Sequence, residues 1–184
     1  LSTSMTSGAA ITINANNVTL DCNDWKIGGL AAGSATLAAG VHVLALNNVT
    51  IRNCAIRGFL YGVLLQQGSY HLVENNRIDL STYHGIEIAY GDGSTVRGNR
   101  VFDTGVEIYG SATGINVLAR GATVVDNTVS GVTAGETAVG ILVNALTPGG
   151  AFAARNRIQG LDADTVFGLY VSGRTMTSDN MVVR

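Results

Sequence analysis

The sequence predicts an all-β solenoid of about seven coils, built from short parallel strands with a stacked Asn ladder at one corner. Two recurring phrases predict it. The first is Gly followed by an apolar, a variable and an apolar residue, and it opens at Gly40, Gly62, Gly85, Gly114, Gly140 and Gly168. The second ends in Asn, one further residue and an apolar residue, with the Asn at positions Asn23, Asn76, Asn99, Asn127, Asn156 and Asn180. Regular repetition of such units is the sequence signature of a solenoid.

The Gly phrase indicates strands rather than helices, because its apolar residues recur with a period of two. The Asn phrase indicates a tight corner after a strand. Asn tolerates left-handed backbone, and its amide both donates and accepts hydrogen bonds, so stacked copies can bond to one another. One coil has Cys54 in the Asn position. Alignment of the first coil places Asn23 in the column and Trp25 in the apolar position after it.

Composition agrees with one stacked domain over residues 1–184. The chain has 24 Gly, 1 Pro and 13% charged residues, which suits coils that hide their strands by stacking. With 11 basic and 13 acidic residues the formal net charge is −2, so we expect no nucleic-acid partner. The uncharged stretch 27–51 contains polar residues and strand alternation, so we expect no membrane insertion. The chain stops inside a repeat, which predicts a module of a longer protein or ends capped by another chain.

The repeats, with the opening segments 17–23 and 48–53, resemble the right-handed parallel β-helix of the pectate-lyase-like superfamily, and are most similar to secreted bacterial β-helix proteins of unassigned role. The resemblance implies that fold and a secreted, periplasmic or cell-surface location. Its enzymes act on polysaccharides, and their catalytic phrases are absent here. The nearest is Tyr83-His84-Gly85, which lacks the first Gly of Gly-His-Gly. We therefore expect a chain without a demonstrable active site, although a lyase or hydrolase stays open.

Outward positions of the Gly phrase form two rows. The first row is His42, Leu64, Glu87, Asn116, Leu142 and Tyr170; the second is Leu44, Gln66, Ala89, Leu118, Asn144 and Ser172. Glu87 is the only carboxylate in these rows and is the weak catalytic candidate, whereas His42 and Tyr170 are expected to lie too far away to act with it. The leucines Leu44, Leu64, Leu118 and Leu142 predict instead an apolar stripe covered by a second copy or a capping segment.

Three long loops, 102–113, 130–139 and 159–167, are predicted beside this face, because extra residues enter at the same corner of successive coils. They contain the ligand candidates Glu107, Tyr109 and Glu136, together with further acidic and aromatic residues. Such side chains suit sugar hydroxyls, sugar stacking or a weak calcium site. Solvated loop surface is the alternative. No motif predicts a metal site, and no other cofactor is expected.

Charged residues flank the Asn corner on both sides. Before it, Asp21, Arg52, Glu74 and Arg97 alternate in sign, which predicts an ion-pair ladder between coils. After it, Arg77, Arg100 and Arg157 form a basic row with Arg57 nearby, and these are candidates for the carboxylates or sulfates of an anionic polymer. Cys22 and Cys54 fall close enough on adjacent coils for a disulfide; Cys54 as a buried substitute for Asn is the alternative.

Two hypotheses follow. In the first, a secreted or cell-surface β-helix module binds polysaccharide along the outward face, at His42, Glu87, Glu107, Tyr109, Glu136 and Tyr170. In the second, the chain is a non-catalytic structural or adhesive rod with an apolar protein interface. We favour polysaccharide binding.

Overall fold

The computed structural model describes residues 1–106 and 110–183. These residues form three parallel sheets of seven strands each, and every coil contributes one strand to each sheet in turn. A short 3-10 helix, Leu30–Ala32, lies between the first two coils. The predicted all-β solenoid with about seven coils is confirmed.

The strands are numbered in chain order. Sheet I contains β1 (Ala9–Ile13), β4 (Ala39–Leu44), β7 (Tyr61–Gln66), β10 (His84–Ala89), β13 (Ser111–Ala119), β16 (Thr137–Ala145) and β19 (Thr165–Ser172). Sheet II contains β2 (Thr19–Asp21), β5 (Thr50–Arg52), β8 (Leu72–Glu74), β11 (Thr95–Arg97), β14 (Ala122–Val125), β17 (Ala151–Ala154) and β20 (Thr175–Ser178). Sheet III contains β3 (Lys26–Gly28), β6 (Ala55–Arg57), β9 (Arg77–Asp79), β12 (Arg100–Thr104), β15 (Thr128–Thr133), β18 (Arg157–Asp162) and β21 (Met181–Val183). Coil 1 is β1 to β3, and coil 7 is β19 to β21.

The core is a set of aliphatic columns, one residue per coil. On sheet III, for example, Ile56, Ile78, Val101, Val129 and Ile158 are register partners and completely buried. This column follows the Asn column, as the repeat predicts. Its stacking removes apolar area from water in each coil, at about 25 cal/mol per Å².

The glycine that opens each phrase is required by close packing within its coil and against the next coil. A Cβ on Gly85 would lie 2.6 Å from the carbonyl oxygen of Gly114 and closer still to Cγ1 of Val101. Gly40, Gly62, Gly114, Gly140 and Gly168 meet the corresponding sheet III side chain in the same way. The backbone of sheet I can therefore approach the core column only where no side chain stands.

The Asn ladder lies at the corner between sheets II and III. Asn99 donates from Nδ2 to Oδ1 of Asn127 at 3.1 Å and to the carbonyl oxygen of Val73 at 2.9 Å. Its own Oδ1 accepts from the backbone N–H and Nδ2 of Asn76, both at 3.0 Å. The same pattern joins Asn127, Asn156 and Asn180. The predicted ladder is confirmed for these five residues.

Two details of the ladder differ from the prediction. Left-handed backbone belongs to the residue before each ladder Asn, as at Asn75 (φ 54°) and Asp126 (φ 58°), so the Asn side chain serves bonding between coils rather than the turn itself. Asn23 is not in the ladder. Ile27 is the register partner of Ile56, so the first coil has two extra corner residues, and Trp25 is 75% exposed.

A disulfide joins Cys22 to Cys54, with the Cα atoms 4.7 Å apart. The extra corner residues of coil 1 bring Cys22 beside the first position of the Asn column. Cys54 fills that position, and its backbone N–H donates to Oδ1 of Asn76 at 3.0 Å. The bridge therefore covers the end of the ladder where an Asn is missing, and it links coil 1 to coil 2.

Two of the predicted long loops are mostly strand, and only residues 134–136 and 163–164 lie between the strands. β15 ends at Thr133 and β16 begins at Thr137, while β18 ends at Asp162 and β19 begins at Thr165. The extra residues of coils 5 to 7 lengthen neighbouring strands of sheets I and III. Because neighbouring coils have insertions at the same corner, the backbone N–H and C=O groups of these residues can pair with one another. The third predicted loop, 102–113, includes residues outside the described part.

Candidate functional site

The predicted outward rows of sheet I are confirmed by the strand register. Glu87 pairs with Leu64 on coil 3 and with Asn116 on coil 5. His42 lies two coils before Glu87 and Tyr170 three coils after it, or about 10 and 14 Å at the usual strand spacing. The structure therefore brings neither His42 nor Tyr170 to Glu87, as expected.

Glu87 belongs instead to a cluster with residues that were not among the ligand candidates. Nε2 of His84 lies 3.2 Å from Oε2 of Glu87. The ring of Tyr83 stacks on His84 with centroids 3.8 Å apart. Tyr61, the register partner of His84 on the preceding coil, contacts both rings edge to face, at 5.7 Å from His84 and 5.8 Å from Tyr83. We call Tyr61, Tyr83, His84, Glu87 and Asn116 the aromatic-acid cluster.

Burial determines the protonation of this cluster. It lowers the pKa of His84 to about 4, against the opposing effect of hydrogen bonding to the backbone of Tyr83 and Thr113, so the imidazole is neutral at pH 7. Burial also raises the pKa of Glu87, partly offset by a hydrogen bond from Asn116. The pKa of Tyr61 is raised to about 12, chiefly by burial and to a smaller extent by the charges of Glu87 and Tyr83. Its hydroxyl group therefore remains a donor.

The cluster contains hydrogen-bonding and stacking groups beside one another on an open face. Tyr61, Tyr83, Glu87 and Asn116 are partly exposed, whereas His84 is buried with 5% exposure. His84 therefore positions Glu87 rather than meeting a solute. Among residues 1–106 and 110–183, Glu87 is the only carboxylate in the two outward rows, so the paired carboxylates that glycoside hydrolysis usually requires are not assembled there.

The remaining ligand candidates are dispersed. His42 contacts Oε1 of Gln66 at 3.2 Å, and Tyr170 contacts Phe167 with ring centroids 5.5 Å apart. Glu136 is exposed at the corner before β16, where its backbone N–H donates to the carbonyl oxygen of Gly110 at 3.0 Å. Glu107 and Tyr109 lie outside the described residues.

The leucines do not form one stripe. Leu44 and Leu64 belong to coils 2 and 3, Leu118 and Leu142 to coils 5 and 6, and the outward residues of coil 4 between them are Glu87 and Ala89. Leu44 is 54% exposed, and the other three are partly buried. Interfaces through the leucines would therefore consist of two separate patches.

The charged outward surfaces of sheets II and III differ in how far their arginines are neutralised by carboxylates. On sheet II the predicted ladder is confirmed, with Arg52 2.8 Å from Asp21 and Arg97 2.7 Å from Glu74. On sheet III, Arg77, Arg100 and Arg157 lie in one exposed column of register partners, interrupted by Thr128.

Across residues 1–106 and 110–183, His, Cys, Asp and Glu side chains do not gather in a group of three that could hold a metal ion. The same residues include no helix with the length and apolarity needed to cross a bilayer.

Three parallel sheets, a continuous Asn ladder and a stack of glycines define a solenoid of the parallel β-helix class. The chain matches the family model described as the right-handed β-helix region over residues 3–147, and it belongs to that family. No curated protein matches it. A solved structure similar to it is endopolygalacturonase I from Stereum purpureum complexed with two galacturonate molecules, at 18% sequence identity and a TM-score of 0.45. That match covers 96% of this chain and 64% of the enzyme.

Proposed function

We propose that this chain is a secreted or cell-surface β-helix module that binds polysaccharide along the outward face of sheet I. The observation that supports it best is the aromatic-acid cluster. Tyr61 and Tyr83 present rings at an interplanar angle of 81°, and Glu87 and Asn116 present hydrogen-bonding groups next to them. Sugars have apolar C–H faces and hydroxyl edges, which these two kinds of group complement.

The geometry of the face favours an extended polymer. Seven strands at about 4.8 Å give a surface about 29 Å long, with His42 towards one end and Tyr170 at the other. We place the strongest contacts at coils 3 to 5, where the cluster lies, and weaker contacts at His42, Glu136 and Tyr170. The disulfide supports an extracellular or periplasmic location, because such bridges persist in oxidising compartments.

The composition of the cluster favours binding of the sugar chain over its cleavage. With one carboxylate in the described outward rows, Glu87 accepts hydrogen bonds from sugar hydroxyls, and His84 holds it in position through the 3.2 Å contact. The neutral imidazole packs against Glu87 without adding a charge to the site.

The experiment is a glycan array with the purified protein, accompanied by a lyase and hydrolase screen on the same polymers. Saturable binding that falls at least ten-fold in the Tyr61→Ala and Glu87→Gln variants supports the proposal. Tyr70→Ala is the matched control, because Tyr70 is 70% exposed and lies at the corner between sheets I and II. Absence of binding across the array, or equal losses in Tyr70→Ala, would refute it.

A further inference from the structure

Sheet III presents an excess of positive charge on its outward surface. Its two outward rows contain five cations, Lys26, Arg57, Arg77, Arg100 and Arg157. Within the described residues the same rows contain one carboxylate, Asp79. The whole chain has a net charge of −2, so this distribution is a local segregation of charge. We call these five cations the basic face.

The arginines of the basic face are poorly neutralised compared with those of sheet II. Arg57 and Arg77 share Asp79, at 3.5 and 3.9 Å. Arg100 and Arg157 have no ion pair among residues 1–106 and 110–183, and Arg157 bonds to the neutral Gln159 at 3.2 Å. At the corner that follows sheet II, by contrast, Arg155 lies 2.7 Å from Asp126. The charges of Arg100 and Arg157 are therefore not neutralised by a described carboxylate and can bind an external oxyanion.

The shape of this face gives the anion a place to bind. Ala55 lies between Lys26 and Arg77 in one column, so a small side chain separates two cations of neighbouring coils. A groove of about 420 Å³ opens there, lined also by Arg57 and bounded by the acidic residues Asp24 and Asp79. Lys26 and Arg77 are about 10 Å apart along the coil axis, at the usual strand spacing.

One guanidinium is held in position by an aromatic ring. The Cζ atom of Arg77 lies 4.8 Å from the centroid of Phe102 on the next coil. Cation–π contact orients the planar group and leaves its N–H edge available. A fixed planar fork binds carboxylate or sulfate in bidentate fashion, which a lysine cannot do.

We propose that the basic face is a second binding site, for a polysaccharide that bears carboxylate or sulfate groups along an extended chain. The column from Lys26 to Arg157 carries cations on coils 1, 3, 4 and 6, so positive charge recurs along the axis as anionic groups recur along such a polymer. The site is separate from the aromatic-acid cluster, because it occupies another sheet, and it does not depend on the function proposed for sheet I.

The test measures binding of dextran sulfate and heparin as sulfated chains, and of alginate and polygalacturonate as carboxylated chains, by biolayer interferometry at several salt concentrations. Arg77→Gln with Arg100→Gln should weaken binding at least ten-fold and reduce the salt dependence. The control is Arg97→Gln with Arg155→Gln, which removes the same charge from sheet II and the corner after it, and should change affinity less than two-fold. Arg77→Lys should recover only part of the loss, and matched melting temperatures exclude misfolding.

The outcomes are separable. Preference for the sulfated or the carboxylated chains identifies the anionic group. Glu87→Gln and Tyr61→Ala should leave this binding unchanged even if they abolish binding on sheet I. Equal losses in the sheet II control, no binding to any of the four polymers, or equally tight binding of duplex DNA would overturn the proposal.

Discussion

The Nε2 atom of His84 lies 3.2 Å from Oε2 of Glu87, and both side chains are largely withdrawn from solvent on the fourth strand of sheet I. Because burial makes ionisation of either group costly, the imidazole is neutral at pH 7 and lies in close contact with the carboxyl group. The contact with His84 holds the carboxyl group of Glu87 beside Tyr61 and Tyr83, and the neutral imidazole adds no charge of its own.

The low pKa of His84 predicts acid sensitivity. In the unfolded chain the imidazole takes up a proton near pH 6.5, whereas in the fold it does so near pH 4, so stability contributed by this group is complete above pH 6.5 and is lost as the pH falls towards 4. The shift corresponds to about 3 kcal/mol. Glu87 acts in the opposite direction, because its raised pKa favours the fold as it becomes protonated.

Urea unfolding from pH 8 to pH 4 measures this linkage, and NMR titration of the imidazole gives the pKa directly. The pH slope should decrease in His84→Asn and persist in His42→Asn. A ring of His84 that titrates near 6.5 would contradict the burial argument.

The glycine column predicts a steric penalty for a single methyl group. Gly85→Ala should lower the free energy of unfolding by about 1 to 3 kcal/mol, because the new Cβ meets the backbone of Gly114 and the side chain of Val101 in a packed core. Gly28→Ala is the control, since its Cβ would have its nearest neighbour at 3.8 Å. Thermal and urea denaturation measure both, and equal effects would show that the column is not closely packed.

The Asn ladder predicts a graded response along the solenoid. Asn99→Ala removes two donated bonds and leaves the buried amides of Asn76 without their acceptor, so we expect a loss of about 1 to 3 kcal/mol. Asn180 lies at the end of the described ladder and is less buried, so Asn180→Ala should cost less. Urea denaturation compares them; a larger loss for Asn180→Ala would be inconsistent with a ladder that stabilises through burial.

The disulfide predicts sensitivity to reduction. The bridge closes a loop with a sequence separation of 32, which corresponds to about 3 to 4 kcal/mol in the chain-entropy model. Unfolding with and without dithiothreitol should differ by about this amount in the wild type and by nothing in Cys22→Ala with Cys54→Ala. Identical curves for the wild type in both conditions would show that the bridge adds no stability.

Most of the fold could be predicted because the Gly and Asn phrases recur in nearly every coil. A column such as Ile56, Ile78 and Val101 is visible in the sequence once the Asn positions are aligned. The register of the first coil could not be predicted. Two extra residues at its corner shift Asn23 out of register with Cys54, and no other repeat has the same insertion to reveal it.

The candidate site was harder to predict. His84 and Tyr61 precede the glycine of their phrases, and the alternation after the glycine says nothing about that position. A signal was present, since aromatic residues stand directly before Gly62 and Gly85 in successive coils. The inserted residues were predicted as loops, because the number of inserted residues does not distinguish a loop from two neighbouring strands that are both lengthened. Thr133 and Asp162, which lie in predicted loops, are register partners on neighbouring strands.

The central claim, that polysaccharide lies over the aromatic-acid cluster on sheet I, is tested most directly by hydroxyl-radical footprinting with the strongest binder from the array. Tyr61 and Tyr83 should be protected when the polymer is present, whereas Tyr70 and Tyr90, which are 70% and 57% exposed near another corner, should react as before. Unchanged oxidation of Tyr61 and Tyr83 at saturating polymer would place the binding surface elsewhere and contradict the account.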